Sequence, residues 1–188
     1  ATAFELAKRG YKTLNIDKLP ASGYGSTSNS CAIVRAHYST WDGVAMAYEG
    51  FFYWDDWNKY LEVEDERGMA KYMKAGSIMF MLKGADHSKK SLNLFKEIGI
   101  EHEIWDLETL KKKMPIYSHD SYNGTSRPDE DDSFFDKSGD QIEGAIWTPG
   151  SGYVSDPQLA THNLQVATEA KGGEFLFNAE IMEIRQSN

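Results

Sequence analysis

Two short stretches carry residue types suited to chemistry. The first runs Gly25-Ser26-Thr27-Ser28-Asn29-Ser30-Cys31-Ala32-Ile33-Val34-Arg35. Its small residues offer hydroxyls, amides and free backbone donors, a composition that wraps phosphate or the edge of a planar ring. An apolar step follows, and then Arg35. An arginine there suits a carboxylate, because its fork reaches both oxygens; a structural ion pair is the alternative. The second stretch is Tyr11-Lys12-Thr13-Leu14-Asn15-Ile16-Asp17, which alternates like a strand and ends in an acid. An acid in that place bonds ribose hydroxyls in the second half of a βαβ dinucleotide unit, and equally it can be an ordinary turn residue.

Other groups are less suggestive. Asp129-Glu130-Asp131-Asp132 reads as a solvated surface insertion, because adjacent acids repel one another and no histidine nearby completes a ligand set. No metal is expected. His37, His87, His102, His119 and His162 are scattered and form no array with a serine and an acid. His37 lies near Arg35, where it could line a pocket, but a surface or core histidine is the favoured reading. Cys31 is the one cysteine, so no intrachain disulfide or cysteine-based zinc site exists.

Helices and strands in alternation must position these residues. A first helix carries Ala3, Phe4, Ala7 and the stem of Lys8 on one face, with Gly10 just past its end. Residues 18–31 read as a loop. Trp41 to about Leu61 is expected to be helical. Lys71 to Leu82 reads as two short strands broken at Ala75-Gly76, and Ser88 to Ile98 as an amphipathic helix with Leu92, Leu94, Phe95 and Ile98 inward. A strand from Glu101 to Trp105 leads to a helix capped by Asp106, with Lys111, Lys112 and Lys113 at its negative end. Tyr117 to Gly144 is polar and turn-rich, and Ala145 to Thr148 resumes a strand. Asp156 and Pro157 open a long helix that Gly172-Gly173 ends. Strands are expected at Glu174–Phe177 and Glu180–Arg185.

The 188 residues are 40% hydrophobic and 13% aromatic, enough for a core, and carry a formal charge of −9. That acidity argues against nucleic acid and anionic membranes as partners. No run is long and apolar enough to span a bilayer. The first residues do not form a signal peptide, and a cytoplasmic location is expected.

Taken in order, strand-Asp17, Gly25-Ser26-Thr27, Ile33-Val34-Arg35 and Tyr38 resemble the sarcosine oxidase and dimethylglycine dehydrogenase group of the D-amino-acid oxidase family. Gly150-Ser151-Gly152-Tyr153-Val154-Ser155-Asp156-Pro157, the helix after it, Gly172-Gly173 and the strand pair around Ile181 continue the resemblance to the end of the sequence. It implies an α/β (α+β) fold: a partial Rossmann-like FAD-binding domain from residues 1–40 and 150–188, with part of a sheet-based substrate domain from residues 41–149.

By the same resemblance Asp17 and Lys18 hold the adenosine end of FAD. Gly25, Ser26, Thr27, Ser28, Asn29, Ser30, Cys31, Ala32 and Ile33 run along its pyrophosphate and flavin, and the backbone of Ile181 meets the adenine. Arg35, with Tyr38, takes the substrate carboxylate. No catalytic residue is assigned, because in this family the flavin performs the chemistry. The implied reaction is oxidation of the C–N bond of a small amino acid or N-methylated amino acid, of sarcosine, dimethylglycine or D-amino-acid type. Oxygen, an electron-transfer flavoprotein or a quinone would take the electrons. A non-catalytic relative acting in assembly is the alternative, and a flavin-free module binding through the aromatic helix at Trp41–Trp57 is a third.

Two departures from the family pattern matter. Asn29 stands where dimethylglycine dehydrogenases carry the histidine that binds flavin covalently, which excludes attachment there. Ala32 replaces a second arginine of monomeric sarcosine oxidases, so their mode of oxygen activation is not carried over. The family's glycine fingerprint would precede Ala1 and its remaining flavin contacts would follow Asn188. The chain therefore reads as a portion of such a protein, expected to be inactive and to bind FAD weakly alone.

Overall fold

A computed structural model describes residues 1–122, 127 and 129–186, with residues 139–141 by their backbone alone. The helices and strands separate into two compact units. Ala1–Val34, Gly50–Met73 and Gly152–Asn188 form the first; Arg35–Glu49 and Lys74–Ser151 form the second. The sequence leads to two segments, 1–40 and 150–188, for the FAD-binding domain and one, 41–149, for the substrate domain; here the first unit also takes in Gly50–Met73, and the dividing line passes through the helix Trp41–Asp55 (α2).

In the first unit, α1 (Thr2–Lys8) buries Phe4 and Ala7, and Gly10 follows it with φ +84, the left-handed geometry that glycine supplies at a helix end. The chain then enters β1 (Leu14–Ile16), which pairs in parallel with β9 (Glu174–Leu176), Asn15 opposite Phe175. The helix α6 (Pro157–Ala170) leads into β9. It starts where the sequence places it: Asp156 accepts from Leu159 N at 2.9 Å and Pro157 fills the first turn. Around α6 lies a core of Phe4, Trp57, Leu61, Ala70, Val154, Ala160 and Ala167. A small antiparallel sheet, β2 (Ile33–Val34), β8 (Gly152–Val154) and β3 (Tyr72–Met73), adds Val154 to that core.

The expected helix from Trp41 to Leu61 is interrupted. α2 ends at Asp55 and α3 (Trp57–Leu61) restarts after Asp56, whose φ of −124° and ψ of 44° leave the helical region. The restart lets Trp57 and Leu61 face the core, 6% and 0% exposed.

The second unit is built on one long strand. β7 (Lys137–Thr148) pairs antiparallel with β4 (Ser77–Leu82), β5 (Glu103–Asp106) and β6 (Asp120–Tyr122). Helix α4 (Asp86–Ile98) buries Phe95 and stops at Gly99, φ +85. Helix α5 (Leu107–Lys113) is capped by Asp106, whose carboxylate accepts from Thr109 N at 2.8 Å. Leu110 from α5 packs on Trp105, Ile142 and Ala145, and the Trp105 and Trp147 rings stack at 5.1 Å. The strands at 72–73 and 77–82 are broken at Ala75-Gly76 as the sequence predicts, and Gly76 is held at φ +72 with its Cα facing the Trp147 indole.

Two sequence expectations fail. The polar stretch from Tyr117 to Gly144 contains β6 and the first half of β7, because backbone pairing along the hairpin does not require apolar alternation. Glu180–Arg185 is not a strand: Ile181, Met182 and Ile184 are 56%, 86% and 86% exposed, and no ladder forms there among the described residues.

Candidate active site

The parallel pair β1–β9 delivers Asp17 to its exposed carboxyl edge. Asp17 N donates to Leu176 O at 3.0 Å, and its Oδ1 accepts from Leu19 N at 2.9 Å. The chain beyond β9 is laced to the same edge: Asn178 N donates to Leu19 O at 3.2 Å and Ala179 N to Asp17 O at 3.1 Å. That brings the segment leading into Ile181 beside Asp17. Lys18 pairs with Glu180 at 3.7 Å, both side chains more than half exposed, so the pair adds little stability.

Residues 25–33 carry one turn of 3-10 helix, Ser26–Asn29. Their hydroxyls divide into two groups. Ser28 Oγ donates to Gly25 O at 2.9 Å and Ser30 Oγ accepts from Ala32 N at 3.0 Å, which fixes the turn. Ser26, Thr27 and Asn29 make no side-chain hydrogen bond among the described residues, and Cys31 is an exposed free thiol. Ala32 sits at φ +55, and its carbonyl accepts from Val154 N at 3.0 Å. This non-glycine left-handed residue tips the chain from the turn into β2, where Ile33 is 58% exposed. An exposed acid at a parallel strand end and a rigid turn with uncommitted polar side chains match the donor and acceptor needs of FAD.

In the second unit, Arg35 is exposed. Its Nη1 donates to His37 O at 2.9 Å, and its guanidinium carbon lies 5.6 Å from the centre of the Tyr38 ring. No carboxylate pairs with it among the described residues, so the structural ion pair weighed from sequence is not formed. A carbonyl and an aromatic face hold the guanidinium flat, and most of its N–H groups remain for a ligand. His37 is 8% exposed, with Nε2 within 3.1 Å of Thr148 Oγ1 and 3.3 Å of Ser77 Oγ. Burial pushes its pKa down to about 4, aided by the charges of Arg35 and His87. It is a core histidine held neutral, the buried one of the two placements the sequence left open.

A polar cluster in the first unit escaped the sequence reading. Asn163 of α6 is fully buried: its Oδ1 accepts from Trp57 Nε1 at 3.3 Å and Ala70 N at 2.9 Å, and its Nδ2 donates to Asp65 Oδ2 at 2.8 Å and Gly68 O at 2.9 Å. Asp65 also accepts from His162 Nδ1 at 2.6 Å and Arg67 N at 2.9 Å. Burial pushes the Asp65 carboxyl up, but the hydrogen bonds from Arg67 N–H, His162 and Asn163 outweigh it and hold its pKa below the ordinary value. The available signal was an asparagine on the Ala160–Ala167 face of a helix, where only a satisfied polar side chain can be buried.

The fold is shared with solved structures of amino-acid oxidoreductases. L-Proline dehydrogenase from P. horikoshii superimposes over 99% of this chain and 42% of its own, with a TM-score of 0.73 at 20% identity. Glycine oxidase from Geobacillus kaustophilus matches over 97% of this chain and 44% of its own, at a TM-score of 0.68 and 20% identity. L-Amino acid deaminase from Proteus myxofaciens matches over 99% and 37%, at 0.64 and 16%. The chain thus spans less than half the length of these proteins. No curated protein sequence matches it. The sequence profile of the FAD dependent oxidoreductase (DAO) family matches residues 1–188, its entire length, and the chain belongs to that family.

Proposed function

We propose that the protein carrying this chain is a flavoenzyme that oxidises the C–N bond of a small amino acid or N-methylated amino acid, of the sarcosine, dimethylglycine or D-amino-acid type. The family match over residues 1–188 carries this reading. Neighbours of the same fold are named for proline, glycine and L-amino acids, each an amine with a carboxylate.

In this reading Asp17 accepts hydrogen bonds from the ribose hydroxyls, with Lys18 beside it, and the backbone at Ile181 meets the adenine. Gly25, Ser26, Thr27, Ser28, Asn29, Ser30, Cys31, Ala32 and Ile33 supply amides and hydroxyls along the pyrophosphate and the flavin. Asn29 offers an amide and no attachment point. FAD held there would supply the hydride acceptor for oxidation of the carbon next to the substrate nitrogen. Arg35 fixes the substrate by its carboxylate, and Tyr38 and the His37 carbonyl keep the guanidinium from turning away. His37, neutral above about pH 4 and engaged with Thr148 and Ser77, adds no competing charge. Oxygen, an electron-transfer flavoprotein or a quinone receives the electrons, and the cytoplasm is the proposed setting. Among the described residues no helix is long and apolar enough to cross a membrane.

The test is anaerobic mixing of the flavin-loaded full-length protein with glycine, sarcosine, dimethylglycine, proline and D-alanine. Bleaching of the flavin band by at least one of them is the expected result. A flavin that none of them reduces would point to a non-catalytic relative, and a purified protein without flavin would overturn the cofactor reading.

A further inference from the structure

His162, held by Asp65, lines a cavity of about 390 Å³ in the first unit, whose lining includes none of the residues assigned above to cofactor or substrate, although Tyr24 directly precedes Gly25. Ser22 and Tyr24 reach it from the loop after β1, Arg67 from the turn after α3, and Gln158 and His162 from α6. We propose that this cavity binds a phosphate monoester, with Arg67 and His162 on the phosphate and Tyr24 against the organic body.

His162 is fixed in place. Its Nδ1 is committed to Asp65, whose side chain is 2% exposed and is held in turn by Asn163 Nδ2 and Arg67 N. The ring cannot turn without breaking a buried network. Nε2 makes no hydrogen bond among the described residues, and the 22%-exposed side chain lines the cavity. In either protonation state Nε2 suits a phosphate: imidazolium donates to an oxygen, and the neutral ring accepts from a monoprotonated phosphate.

Arg67 is the second element. Its side chain is exposed and forms no ion pair among the described residues, although the protein carries a formal charge of −9. An unpaired guanidinium beside a fixed imidazole, in an otherwise acidic molecule, favours an anion. The carboxylate that also lines the cavity, Asp156, is turned to the helix amide of Leu159 at 2.9 Å. Donors come from three separate segments, which fits an acceptor whose oxygens point in several directions better than a planar carboxylate.

Size and lining then select a larger ligand than the bare ion. The cavity is in the range of small-molecule sites. The half-exposed ring of Tyr24 and the side chain of Leu159 supply apolar surface for an organic group.

The experiment is calorimetric titration of inorganic phosphate, phenyl phosphate and benzoate into the full-length protein as purified, and into Arg67→Gln and His162→Gln. Saturable binding is expected for both phosphates, tighter for phenyl phosphate, with a loss of tenfold or more in Arg67→Gln. Arg67 is on the surface, so an unchanged melting temperature will show that its variant is folded. His162→Gln is expected to weaken binding as well, and the Arg67 result stands if that variant proves unstable. Absence of saturable heat with either phosphate, or equal affinity in Arg67→Gln, would overturn the proposal. Benzoate binding as tightly as phenyl phosphate would overturn it in favour of a carboxylate ligand. Flavin content, read separately from the absorption spectrum, bears on the proposed function alone.

Discussion

Lowering the pH should unfold the second unit partly through one residue, His37. Its pKa falls from 6.5 to about 4 on folding, because the ring is buried beside Arg35 and His87. Below pH 6.5 the unfolded chain takes up a proton that the folded chain refuses, so the unfolded state binds more protons and stability rises with pH. The contribution is fully present at neutral pH, declines as pH drops through 6.5, and levels off near pH 4. At roughly 1.4 kcal/mol per pKa unit the loss over that window is about 3 kcal/mol. Carboxylates such as Asp65 also lose stability in acid, so the measurement must be a difference. Urea midpoints of wild type and His37→Gln are compared from pH 7 to pH 4; glutamine can still bond Thr148 and Ser77 but does not titrate in this range. The two curves should converge by about 3 kcal/mol. In parallel, the His37 ring proton resonances should titrate near pH 4. Parallel stability curves, or a titration midpoint near 6.5, would show that folding does not hold His37 neutral.

Three further substitutions test particular contacts. In the full-length enzyme Arg35→Lys keeps the charge but loses the fork, and should raise the half-saturating substrate concentration about 10- to 100-fold with flavin content unchanged; equal dissociation constants for an unreactive carboxylate analogue would move that role elsewhere. Asn163→Leu leaves Trp57 Nε1 and Ala70 N without a partner in the core and should cost about 3 kcal/mol or more, read by thermal or urea denaturation. Gly76→Ala places a methyl group inside the Trp147 ring at φ +72 and should disorder that corner of the sheet, seen as a changed near-ultraviolet spectrum of the stacked Trp105–Trp147 pair.

Much of this architecture is legible in the sequence where local rules decide the outcome. Asp156-Pro157 with Gly172, Asp106 with Thr109, and the break at Ala75-Gly76 are set by a few neighbouring residues, and the structure places them there. What escaped reading depends on distant partners. Lys137–Thr148 opens polar because its first half is held by backbone bonds to a hairpin neighbour, which side-chain pattern does not report. Glu180–Arg185 carries Ile181, Met182 and Ile184, but strand-forming residue types do not by themselves create a ladder. The same distinction holds in the site. The polar loop at 25–33 and Arg35 are visible as residue types, whereas the Asp65–His162–Asn163 cluster is assembled from positions about a hundred residues apart. Neither fragment of it is unusual by itself.

The central place of β7 sets an order on synthesis. Strands β4 and β5 each pair with β7 and not with each other, and β7 is the last of the three to leave the ribosome. Until then Ile78, Met79, Phe80, Met81 and Leu82 have no sheet to join, and their open edge is available to neighbouring chains. A nascent chain stalled before Lys137 should therefore be a client for chaperones, and release of that client should follow completion of Thr148. Collapse of the second unit is thus a late event on the ribosome, triggered by the arrival of a single strand.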